Sequence, residues 1–167
     1  MSVPAAYLGV ILIWTTTPLA IKWSGEGPGF LFGVTGRMAI GAALCLALMQ
    51  VARVRLPLHR AARWTYVAAG LAIYCSMIAT YWGAQFIPSG LISVVFGLTP
   101  LVTGILAALW LDERSLTPSK LGGMLAGFAG LAVIFGFGLR LGPHALYGLG
   151  AILVATVLHA TSAVWVK

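Results

Sequence analysis

The chain has 167 residues, of which 60% are hydrophobic and 8% charged. An ordinary soluble domain carries about 25% charged residues, so this balance excludes one and points to an integral membrane protein. The formal charge of +7 comes from basic residues set in loops between apolar stretches, a pattern of membrane topology rather than of nucleic-acid binding.

Six hydrophobic spans follow one another. Each is near the ~20 residues that a crossing of about 30 Å of hydrocarbon requires. The first runs from about Pro4 to Lys22. It lacks a basic n-region and a small-residue cleavage site, so it does not read as a signal peptide. Its middle, Trp14-Thr15-Thr16-Thr17-Pro18, is polar and bent, because Pro18 has no amide to offer the Trp14 carbonyl. The threonine hydroxyls bond either to a ligand or back to their own helix. Lys22 is either an interfacial anchor or an outer-vestibule charge.

The second span, Phe30 to Val51, carries Arg37 about two turns in. An arginine at that depth faces a wet cavity and an anionic group, or it snorkels outward and bonds backbone carbonyls. The third span, Trp64 to Phe86, puts Tyr74 and Tyr81 on one face with Thr80 beside them, and their hydroxyls need partners inside a membrane. Cys45 and Cys75 read as small buried apolar residues rather than as a disulfide or a metal pair.

The fourth span, Ser89 to Leu111, holds Pro100 near its middle, which frees the carbonyl of Phe96 and predicts a kink. Ser93, Gly97, Pro100 and Gly104 share one face, as a cavity wall or a tight packing stripe. Gly97 and Pro100, with Pro18 in the first span, are the candidate hinges. Asp112-Glu113-Arg114 stops the span, and Glu113 reads as a structural partner for Arg114 or Lys120. Thr117-Pro118 is an N-cap followed by a first helical residue. The fifth span, Leu121 to Phe137, has Gly123, Gly127 and Gly130, which predict a close helix neighbour. Gly142-Pro143 then breaks the chain. The sixth, Leu146 to Val166, places His159 on one face with Thr156 and Ser162. It relays protons there or bonds, neutral, to a neighbouring carbonyl.

Arg53, Arg55, Arg60, Arg63, Arg114, Lys120 and Lys167 fall on one side of a six-span zigzag, against Lys22 and Arg140 on the other. The basic side is expected to be cytoplasmic, with the N-terminus there. Trp23, Trp64, Trp110 and Trp165 sit near span ends, as interfacial anchors do.

The succession "LTPLVTGILAALWLDER", "LTPSK" and "LGGMLAGFAGLAVIFG" resembles the EamA domain of the drug/metabolite transporter superfamily, and the likeness extends from about Tyr7 to the C-terminus. The resemblance implies an all-α polytopic transmembrane bundle of six spans, half of an inverted-repeat transporter. Residues 1–143 would form a first repeat of five transmembrane helices and 144–167 the first helix of a truncated second repeat. "LYGLGAILVATVLHATSAVWVK" is similar to "YLGVILIWTTTPLAIKW", which fits that division. An odd number of helices per repeat inverts the second copy. The alternative is a short gene product that works as a homodimer.

No catalytic constellation is visible. The three acidic residues, Glu26, Asp112 and Glu113, all lie at loops, and no metal-ligand or phosphate-cradling spacing occurs. No enzyme activity, cofactor or metal is expected; the expected partners are a small-molecule substrate and the lipid bilayer, with no nucleic acid. The resemblance implies a secondary transporter of the cytoplasmic (inner) membrane, exporting a small metabolite by alternating access, with its first helix facing the cavity. The candidate substrate contacts are Trp14, Thr16, Thr17, Arg37, Tyr74, Tyr81, Ser93, Pro100 and His159. Because the buried ionisable groups are basic, the expected substrate carries a carboxylate, as an amino acid or organic acid does. Besides a membrane-embedded enzyme, which would need a polar cluster that the sequence does not offer, two alternatives stay open. One is a non-transporting membrane scaffold or assembly subunit. The other is a small multidrug-type cation exporter acting as a dimer, which would want a carboxylate in its first helix where Thr16 and its neighbours offer none.

Overall fold

The computed structural model describes residues 3–111, 117–136 and 142–166, which form a bundle of α-helices with no strand among the described residues. The helices are α1 (Val3–Gly25), α2 (Phe30–Val51), α3 (Arg60–Gly83), α4 (Ser89–Phe96), α5 (Thr99–Trp110), α6 (Pro118–Gly136) and α7 (Ala145–Trp165). α1, α2, the α4–α5 pair and α7 are each long and apolar enough to cross a membrane. α3 and α6, of 24 and 19 residues, complete the six spans expected from the sequence. α3 starts at Arg60, so its first turn is more polar than the span that begins at Trp64.

The fourth span is interrupted rather than smoothly kinked. After Phe96 the amides of Gly97 and Leu98 fall back on the carbonyls of Val94 and Val95, at 3.1 and 3.0 Å. Such tight turns close one helix before the next begins. Pro100 then sits in the first turn of α5, where a missing amide costs nothing.

Local chemistry also sets the ends of α2 and α6. At the end of α2, Arg53 takes φ 52, the Val54 amide reaches the Met49 carbonyl at 3.0 Å, and the Arg53 amide reaches Gln50 at 3.2 Å. This pair of bonds is a Schellman stop made without the usual glycine. At the start of α6, Thr117 Oγ1 accepts from the Lys120 amide at 3.4 Å, as an N-cap does.

The core gathers at one end of the bundle. Ile21 from the end of α1, Val34 from the start of α2, Tyr81 and Ala84 from the end of α3, Ile92 from α4 and Ile152 from α7 form one buried cluster. That arrangement requires alternating helix directions. It lies at the end carrying the Glu26 loop, opposite the arginine-rich loop between α2 and α3. α7 is the most deeply seated helix, with Ile152, Ala155 and Ala160 fully buried among its eight buried residues. By contrast, α1 and α2 each bury one residue, Ile21 and Val34. Helices apolar all round have no face that a soluble core would select; their remaining surface suits lipid or another apolar partner.

Two expectations need correction. Nothing among the described residues lies within 4 Å of a Cβ built on Gly123, Gly127 or Gly130. No helix packs closely there; the tight glycine contact is between α3 and α7. Cys45 and Cys75 are free but exposed, because they lie on outward surfaces of α2 and α3 rather than on the faces toward α7. The tryptophans expected at the interface, Trp23, Trp64, Trp110 and Trp165, are all exposed near helix ends. The expected pairing of Glu113, and the positions of Asp112, Arg114, Arg140 and Lys167, lie outside the described residues.

Candidate functional site

Beyond the core cluster, toward the opposite end of the bundle, a cavity of about 440 Å³ opens between α1, α2, α3, α4, α5 and α7. Its apolar wall is made by Ile13, Trp14, Ile21, Met77, Ile92 and Phe96. Its polar groups are Thr17, Arg37, Ser93, Thr99 and His159, with Pro18 inside α1 and Gly97 at the break between α4 and α5. A largely apolar space with a few convergent polar groups is the usual form of a small-molecule site.

Each polar group reaches the cavity for a local reason. Thr17 stands one residue before Pro18, and its hydroxyl donates back to the Ile13 carbonyl at 2.7 Å. Thr15 and Thr16 do the same, to Ile11 and Leu12 at 2.9 Å each. The threonine run is therefore bonded within its own helix, just before Pro18. Ser93 bonds back to Ser89 at 3.4 Å. The interruption after Phe96 turns Gly97 and Thr99 toward the space. His159 projects from α7, its ring edge-on to Phe96 at 6.5 Å between centroids.

Three of these groups have unused hydrogen-bonding capacity. Among the described residues, Arg37 makes no hydrogen bond or ion pair, and its side chain stands exposed on α2. Thr99 Oγ1 and His159 Nδ1 are buried and without a partner. Buried polar atoms without partners are costly, and native proteins hold few of them.

Of the residues singled out in the sequence, Trp14, Thr17, Arg37, Ser93 and His159 meet around this cavity, together with Pro18 and Gly97. Thr16, Tyr74, Tyr81 and Pro100 do not line it. Thr16 is exposed on α1, and Pro100 is exposed on the far side of the break. Tyr74 shares a 2.9 Å hydrogen bond with Thr35, tying α3 to α2. Tyr81 is buried in the core, its hydroxyl 3.1 Å from Ser24. Both tyrosine hydroxyls find the partners that a membrane demands, but on neighbouring helices rather than at the cavity, because α3 turns Tyr81 into the core and Tyr74 toward α2. Thr99, Met77 and Phe96 were not picked out from the sequence. The position of Thr99 beside Pro100, just past a helix break, was the available signal. A second, smaller space of about 220 Å³ lies at the other side of the core, lined by Lys22, Glu26, Tyr81 and Gln85 among others.

The chain belongs to the EamA-like transporter family, whose sequence model matches residues 3–136. It is 28% identical to the uncharacterized transporter YvbV of Bacillus subtilis (strain 168), over 93% of this chain and 54% of that protein. It is 29% identical to the uncharacterized transporter YoaV of the same organism, over 96% of this chain and 55% of that one. A probable terminal-alkyne amino-acid exporter of Streptantibioticus cattleyicolor is 26% identical, over 88% of this chain and 52% of the relative. The chain thus spans about half the length of the curated relatives it matches. No solved structure matches it.

Proposed function

We propose that this member of the EamA-like transporter family is the first repeat, with one added helix, of a secondary transporter that exports a small amphipathic metabolite bearing a carboxylate. The membrane would be the cytoplasmic one, with the N-terminus inside, as the loop charges favour. The single observation that carries the substrate class is Arg37: a guanidinium without a partner among the described residues, at the wall of a mostly apolar cavity. A planar fork of donors beside apolar walls suits an anion with a hydrophobic body. The kinship with an amino-acid exporter supports the same class. In this reading α7 stands for the first helix of an inverted second repeat, and the two repeats rock about the cavity in alternating access. Pro18 within α1 and the break at Gly97–Leu98 would absorb that motion.

The test is binding and flux in proteoliposomes holding the full transporter, with a panel of apolar amino acids and short organic acids. Arg37→Ala should weaken binding of carboxylate ligands by roughly 10–100-fold, the worth of a hydrogen bond to a charged group, while Arg37→Lys should recover part of it. Unchanged affinity and unchanged flux in Arg37→Ala would remove Arg37 from the site. A purely structural scaffold would show no saturable flux with any member of the panel.

A further inference from the structure

The shut end of the bundle is held by a side chain whose partners no sequence pattern reveals. Lys22, in the last turn of α1, sends its ammonium across to α3. Its Nζ donates to the carbonyl of Ala84 at 3.2 Å and to that of Ile87 at 3.1 Å. These carbonyls follow the last turn of α3, where the helix leaves its own acceptors unpaired and its dipole presents negative charge. A protonated amine is the natural cap for that position.

The contacts around it form one joint. The Ser24 and Tyr81 hydroxyls lie 3.1 Å apart, two residues along α1 from the lysine. A Cβ on Gly33 would stand 2.6 Å from the Ser24 carbonyl oxygen and 3.1 Å from the Tyr81 ring, so the start of α2 closes tightly on the same place. Away from this end, α1 parts from its neighbours: from Val3 to Thr16 it buries no residue. The helix is fastened at this end, with Pro18 and the cavity lying beyond the joint. Ile21, one residue before Lys22, belongs both to the buried core and to the cavity lining.

We propose that Lys22 is the positioning residue of a gate: its ammonium, seated on the Ala84 and Ile87 carbonyls of the segment joining α3 to α4, holds α1 against that segment and keeps the cavity closed toward the Glu26 side. The two carbonyl bonds are exchangeable for water, but opening the joint also lifts Ile21 from the cluster it shares with Tyr81, Ala84 and Ile87, so the lysine biases the closure rather than carrying it alone. This rests on the transporter reading, but it concerns access rather than substrate, and it is measured without any substrate.

The experiment uses the full transporter with Cys45 and Cys75 changed to serine, and Thr17→Cys as the reporter inside the cavity. A membrane-impermeant thiol reagent is applied from the Glu26 side, and separately from the opposite side in inverted vesicles. Lys22→Met keeps the length and the apolar stem but removes all three donors. It should raise the labelling rate from the Glu26 side on the order of tenfold, as expected for losing two charge-assisted bonds from a two-state closure. Lys22→Arg, which keeps a cation with several donors, should stay near the parent rate. Tyr81→Phe, which loosens the same joint by one neutral bond, should give a smaller rise, and it serves if Lys22→Met fails to fold. Equal labelling from the Glu26 side in the parent, Lys22→Met and Tyr81→Phe would overturn the gate. Absence of saturable flux together with the expected labelling pattern would sink the transporter reading and leave the gate standing.

Discussion

Gly83 and Gly148 face each other across α3 and α7 so closely that neither has room for a side chain. A Cβ on Gly83 would stand 2.9 Å from the Gly148 carbonyl oxygen, and one on Gly148 would stand 2.8 Å from that of Gly83. Around this crossing Ser76 donates to the Ala155 carbonyl at 2.7 Å, and Thr80 and Thr156 bond back to Ser76 and Ile152 at 2.8 Å. Small residues and short interhelical bonds are how helices associate where lipid offers no hydrophobic drive. The α3–α7 seam is thus the firmest joint described here.

Gly148→Ala and Gly83→Ala should each lower stability by about 1–3 kcal/mol, since a backbone carbonyl of the facing helix and two packed side chains stand in the way of each new methyl. Gly127→Ala, with nothing near its Cβ, should be neutral or slightly stabilising through helix propensity. Thermal unfolding in detergent, followed by size-exclusion recovery, separates the three. Equal midpoints would mean that the seam does not close as described.

Thr99→Val should leave stability unchanged or raise it by up to ~1 kcal/mol. The hydroxyl it removes is buried without a partner, and an isosteric apolar group carries no such cost. A clear loss of stability would show that the hydroxyl is paired in the membrane, by water or by a group of another repeat.

Arg53→Gly should stabilise by about 1 kcal/mol. Arg53 holds φ 52 at the stop of α2, a conformation that an L side chain enters at a cost and glycine enters freely. A midpoint that falls instead would show that the arginine side chain contributes more than its backbone strain removes.

Pro100→Ala restores an amide that can reach back toward Phe96. The expected outcome is a straighter fourth span, seen as a longer spin-label distance between positions 91 and 109. An unchanged distance would assign the break to the Gly97–Leu98 turn and the packing of α7 alone.

Much of this protein was determined by its sequence alone. Long apolar runs in a chain with few charges have no stable place outside a bilayer, and a helix is the structure that satisfies every backbone group there. The spans, the Thr117-Pro118 start and the interruption near Pro100 follow from that local chemistry, as does the family likeness. Tertiary structure alone decided which polar groups meet. Tyr74 and Tyr81 share a face in the sequence, yet one bonds α2 and the other fills the core. Lys22 finds two carbonyls more than 60 residues away. The glycines that touch are Gly83 and Gly148, not the periodic set on α6. On a helix apolar on every side, periodicity names no inward face; only the neighbour that arrives supplies one.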